Sequence, residues 1–144
     1  MIRIGIVDGE NGSLLGSVRK MNLSDCEAER AVRGGNYDVV LWNTDKDMKG
    51  FDISTWSLVI CSEDVKTYPP DCKAEYAVSC GRTDRDTVTL SSSLSNGGMA
   101  ALRREIVSKS GNVVYPREIE LKDIGGSEDD KLAIASLLLL IDRI

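Results

Sequence analysis

Three short apolar runs, the first of them rich in β-branched residues, constrain this chain more than any other feature: Ile2 to Val7, Asp38 to Asn43 and Trp56 to Cys61. Each is almost free of charge through its middle. Each also runs into a polar cluster, Asp8-Gly9-Glu10 after the first, Asn43-Thr44-Asp45 at the end of the second and Ser62-Glu63-Asp64 after the third. Strands covered on both faces read this way, because a parallel sheet between two layers has no solvent side to demand alternating polar residues. The chain is therefore expected to be α/β, with these runs as neighbouring parallel strands.

The remaining segments fill in around that sheet. Leu14, Val18 and Met21 follow the first polar cluster at helical spacing and predict a short helix, with an extended Ser17 to Met21 as the alternative. Ser24-Asp25-Cys26-Glu27 has the form of a capping box, which predicts a helix carrying Ala28, Ala31 and Val32 inward and stopping at Gly34-Gly35. Ala74 to Cys80 and Thr87 to Ser91 are expected as two further strands joined by the charged turn Gly81 to Asp86. Met99 to Val107 and Val113 to Leu121 flank Ser108-Lys109-Ser110-Gly111-Asn112 and predict a β-hairpin, although the first arm also has the composition of a helix. Ser127, followed by Glu128, Asp129 and Asp130, is an N-cap with acids where the helix dipole favours them. The helix it opens is apolar around nearly its whole circumference, which implies burial between layers or between subunits. The expected whole is a single α/β domain over residues 1–144: a Rossmann-like three-layer sandwich with a mainly parallel sheet, a β-hairpin insertion and a C-terminal helix.

Composition excludes several classes of function. The net charge of −5 repels polyanions, so neither nucleic acid nor an anionic membrane is an expected partner. The chain has no histidine, and its four cysteines form no C-x-x-C pair, which removes zinc-site spacing and histidine acid–base catalysis. The cysteines are expected to be small buried hydrophobes, with Cys72, beside Pro69, Pro70 and Asp71, the most exposed thiol. The strand-like start Met1 to Val7 lacks a signal peptide's apolar core, and Leu132 to Ile141 falls short of the roughly 20 residues that span a bilayer. A cytoplasmic protein is expected. The apolar terminal segment Lys131 to Ile144 suggests a homodimer.

Strand, glycine-rich turn and helix together make a geometry that binds phosphate, since backbone N–H groups converge at a helix start. Here the turn is Asp8-Gly9-Glu10-Asn11-Gly12-Ser13. A hydrolytic phosphate loop needs a lysine after its last glycine and then a Ser or Thr for magnesium, where this chain offers Ser13 and Leu14. Asp8 and Glu10 add charge of the wrong sign. The candidate ligand-binding residues are Gly9, Glu10, Asn11, Gly12 and Ser13, with Asn43 and Asp45 from the next strand end, and Arg82 and Arg85 as an anion clamp. No catalytic residue and no metal site is assigned: Asp45, Asp47 and Asp52 read as solvated acids, and Ser91, Ser92 and Ser93 lack a base.

Three of these segments carry a resemblance. Ile6-Val7-Asp8-Gly9-Glu10-Asn11-Gly12 resembles the start of the central ATP-binding domain of the Mur ligases, whose fingerprint reads G-T-N-G-K-T/S. Val39 to Asp45 is similar to that family's strand ending in an N-x-D turn, and Gly126 to Ala135 resembles its G-x-H-N…N-x-x-A-A-I-A helix. Gly81 through Thr87-Val88-Thr89-Leu90-Ser91-Ser92, with a hairpin ending in Pro116-Arg117-Glu118, is also similar to a small bacterial family with the pattern G-x-x-x-x-x-T-V-T-x-S-S. Mur ligases activate a carboxylate with ATP and join an amine to it, using the loop lysine and magnesium held partly by a histidine. With Ser13 in the lysine's place and no histidine, the resemblance implies a non-catalytic relative that needs no cofactor and acts through protein contacts or a weakly bound small molecule. The alternative is an enzyme or sensor that binds a nucleotide or phosphometabolite on the Gly9–Ser13 loop.

Overall fold

A computed structural model describes every residue except 10, 32–34, 46–51, 64, 66–67, 70–71 and 93–96. The first strand, β1 (Ile2–Asp8), leads through the glycine turn into helix α1 (Leu14–Lys20) and back into strand β2 (Cys26–Arg30). Strands β3 (Asn36–Asn43), β4 (Ile53–Cys61), β5 (Cys72–Gly81) and β6 (Val88–Ser92) follow. Then come β7 (Met99–Leu102), β8 (Ile106–Val107), β9 (Val113–Val114), β10 (Arg117–Glu120) and helix α2 (Glu128–Leu140).

Eight strands form one sheet in the order β10-β7-β6-β5-β4-β3-β1-β2. All neighbours from β2 to β6 are parallel, whereas β7 joins β6, and β10 joins β7, antiparallel. The sheet is thus mainly parallel with a mixed end, and the expected hairpin supplies that end. Its outer part, β8 with β9, continues as a separate two-stranded ribbon.

Both helices lie against the same face. Leu14 and Val18 of α1, Leu132 to Ile141 at and beyond α2, and the inward residues Ile4, Ile6, Val39, Leu41, Val59 and Val78 belong to one buried cluster. From Leu132 to Ile141 no residue is more than 5% exposed. The all-round apolar character of this segment is therefore satisfied within a single chain: the sheet takes one side, and α1 with the residues around Leu121 and Ile124 takes others. The opposite face carries a smaller cluster of Val7, Tyr37, Val40, Trp42, Ile53 and Leu58, closed by Ala31, Val65 and Cys72. Among the described residues no helix covers it.

Two expectations are corrected. Cys26 to Arg30 is not a capped helix but the edge strand β2, paired with β1 from Ile2↔Cys26 to Ile6↔Arg30. Ser24 caps nothing there; its hydroxyl and carbonyl accept from the Arg143 guanidinium. The chain leaves α1 through Asn22 and Asp25, both with positive φ, and returns beside β1, whose free edge pairs the segment's backbone N–H and C=O groups. An edge position also tolerates the charges of Glu27, Glu29 and Arg30, which a central strand would not. Cys72, in turn, is 3% exposed at the start of β5. It packs under Ile53 and Leu58 in the smaller cluster, and burial pushes its thiol up to about 11. The more exposed cysteine is Cys26, on the edge strand.

Candidate functional site

The sheet order places β1 between β2 and β3, so the chain runs one way across the sheet from β1 to β2 and the other way from β3 onward. A parallel sheet leaves a crevice at such a point, outside the carboxyl ends of the two diverging strands. Here those ends are Asp8 and Asn43, direct partners in the β1–β3 register. An open groove of about 420 Å³ lies there, lined by Asp8, Gly9, Asn11, Gly12, Asn43, Thr44 and Asp45. The structure thus brings together five of the nine residues expected from sequence: Gly9, Asn11, Gly12, Asn43 and Asp45.

The turn already holds an anion, and it belongs to the chain. The Asp8 carboxylate accepts the Gly9 N–H on Oδ1 and the Leu14 N–H on Oδ2, each at 3.0 Å. Asn43 Nδ2 donates to the same Oδ1 at 3.3 Å. These are the backbone donors that a phosphate would take at the start of α1. Gly12, whose N–H closes the turn on the Gly9 carbonyl at 2.9 Å, has to be glycine: a Cβ there would lie 2.0 Å from the Asp8 carboxyl. In this turn, glycine makes room for a side chain rather than for a ligand.

Ser13 is the N-cap of α1 but makes no capping bond with its side chain, because Asp8 does that work. Its hydroxyl instead donates to Asp130 Oδ2 at 2.6 Å, and Ser17 donates to the same oxygen at 2.9 Å. Asp130 is 2% exposed, and its own N–H is capped by Ser127 Oγ at 3.1 Å. A buried carboxylate bound to two hydroxyls thus ties the start of α1 to the start of α2. Gly126, at φ +95°, allows the approach, since a Cβ would stand 2.4 Å from Ser17 Oγ.

Arg82 and Arg85 do not reach the groove. The Arg82 guanidinium is spent on acids of this chain: Nε and Nη2 donate to Glu128 Oε1 at 2.9 and 2.5 Å, and Nη1 donates to Asp129 Oδ1 at 2.7 Å. Glu63 lies 3.6 Å away. Glu128 above all, with Asp129, raises the guanidinium's hold on its proton against the opposing effect of burial. Arg85 is exposed, and its carbonyl accepts from Arg104. Glu10 and Asp47 lie outside the described residues. Among those described, no group of three or more acid or cysteine side chains is arranged to hold a metal ion.

The described lining of the groove includes two carboxylates, those of Asp8 and Asp45, the first already accepting from the turn. Among the described residues the buried Asn43 Oδ1 has no hydrogen-bond partner. The Trp42 indole fixes the turn beyond it by donating to the Thr44 carbonyl at 3.0 Å.

Sequence reasoning missed the roles of Asp8 and Asp130. A signal for the first was present: an aspartate at a strand end, with glycine one residue on, is the pattern of a side chain that bonds its own turn. Nothing local could reveal the second, since Asp130 meets its partners more than a hundred residues away. No model of a known protein family, no curated protein and no solved structure matches the chain.

Proposed function

We propose that this chain is a non-catalytic, Rossmann-like binding domain whose groove at the β1–β3 strand ends takes a hydrogen-bond-donating group, an amine, guanidinium or basic peptide side chain, rather than a phosphate. The observation that carries this reading is the Asp8 carboxylate seated on the Gly9 and Leu14 N–H groups. A phosphate entering the turn would have to displace a covalently tethered anion and would find no lysine at position 13. The carboxylates of Asp8 and Asp45 in the lining favour the opposite charge. On this reading, the likeness to the Mur ligase ATP-binding domain is that of a relative whose phosphate turn has become a structural turn. A second copy docking through Lys131 to Ile144 would meet only the fringe of that segment, such as Asp142 and Ile144, because its apolar residues face this chain's own sheet. The proposal therefore centres on the groove.

The test is a thermal-shift series with magnesium ATP, inorganic phosphate, alkyl amines, arginine esters and short basic peptides. Ligand saturating at a hundredfold over its Kd stabilises the fold by about 2.7 kcal/mol, enough to move Tm by several degrees. The cationic donors should raise Tm, with the rise lost in Asp45→Asn, whose side chain is exposed and lies on the groove. A rise with ATP or phosphate and none with amines would overturn the reading.

A further inference from the structure

We propose that Cys61 and Cys80 form an oxidation site, a thiol pair that a low-molecular-weight disulfide converts into an intrachain disulfide. Cys61 ends β4 and Cys80 is the penultimate residue of β5, and the two are direct partners in the parallel register. Their sulfurs lie 3.8 Å apart, with Cys80 donating to Cys61. Both are buried, at 3% and 2% exposure. A disulfide requires Cα atoms about 4.4–6.8 Å apart, and paired positions on neighbouring strands stand about 4.8 Å apart. The backbone spacing therefore suits the bond, and closing it needs the two sulfurs to approach from 3.8 Å to about 2.05 Å, by side-chain rotation and a small local adjustment of the strand ends. The strand ends are also held together, since the Ser62 N–H and hydroxyl both donate to the Cys80 carbonyl, at 2.9 and 3.1 Å.

The cover over the pair is ionic. Glu63, Asp129 and Leu132 close the space beside the two sulfurs, and Glu63 and Asp129 are two of the three acids around Arg82, with Glu128 the third. These ionic side chains are partly exposed, and their separation is the route by which a small reagent reaches the thiols on this proposal. One thiol loses its proton and attacks the reagent's disulfide, releasing the first small thiol and leaving a mixed disulfide. The second protein sulfur then displaces the remaining small thiol. Two S–H bonds break, one S–S bond forms, and the two electrons leave with the reduced reagent. The other cysteines lack this arrangement: Cys26 pairs in register with Ile2, and Cys72 with Ile53.

The experiment incubates the native, full-length protein with glutathione disulfide, blocks remaining thiols under denaturing conditions with iodoacetamide, and maps the peptides by mass spectrometry. The expected product is a cross-linked peptide pair joining Cys61 to Cys80, with Cys26 and Cys72 alkylated. The link should vanish in Cys80→Ser and persist in the Cys26→Ser, Cys72→Ser double variant, which keeps the pair intact. Either of two results would overturn the proposal: Cys61 and Cys80 both recovered alkylated, or held as mixed disulfides, from native protein, or a link that forms only in urea-unfolded chains.

Discussion

At the scale of single residues, the chain repeatedly uses a carboxylate of its own where a sequence reader would place a ligand or a solvated charge. Asp8 fills the glycine turn and Asp130 joins the two helix starts. Asp38 is a third case. Burial raises its affinity for a proton, but the Arg3 N–H at 2.7 Å and the Lys109 ammonium at 3.2 Å outweigh this, and the net effect is a lowered pKa. A carboxyl whose pKa is lower folded than unfolded adds stability in full above the unfolded value of about 3.9. That stability fades as pH falls through the lower folded value. Asp38→Asn keeps an acceptor for Arg3 but loses the charge opposite Lys109. With the site about a quarter exposed, the variant should be about 1 kcal/mol less stable at pH 7. Urea titrations across pH should show the difference closing as acid protonates the wild-type side chain; a difference independent of pH would mean that the Lys109 pairing contributes nothing.

At the scale of elements, α2 is the piece on which packing depends most. Ser127 caps it, three acids follow in its first turn, and ten of its thirteen residues are buried. Leu137→Ala, at a position with no exposure, should cost about 2–5 kcal/mol, read as a shift in urea midpoint without a change in slope. A loss under 1 kcal/mol would mean that the helix packs loosely. The elements legible in sequence were those whose local pattern and tertiary role agree: β1, β3 and β4 from their unbroken apolar runs, and α2 from its cap and apolar length. The hairpin was legible too, though not its division into β7 with β10 and β8 with β9. The segment Ser24 to Arg30 misled because Ser-x-x-Glu is a local helix signal, and pairing with β1 decided its conformation. Cys72 misled for a similar reason: a sequence rich in proline suggests a loop, but the sheet extends to meet it.

At the scale of the whole molecule, topology chose the site. The five groove residues foreseen from sequence follow two strands that are adjacent in the sheet, and the change of direction at β1 opens the crevice between their ends. Arg82 and Arg85 were grouped with them on chemistry alone; they follow β5, two strands further along, where α2 supplies the acids that occupy Arg82. Among the described residues no helix is long and apolar enough to cross a membrane. The central claim is that the glycine turn carries its own anion. The most direct measurement is a ¹⁵N–¹H NMR titration of the wild-type protein with magnesium ATP, following the amides of Gly9, Gly12 and Leu14. These signals should stay in place up to millimolar nucleotide; a saturable movement confined to them would show that the turn accepts a phosphate in place of Asp8.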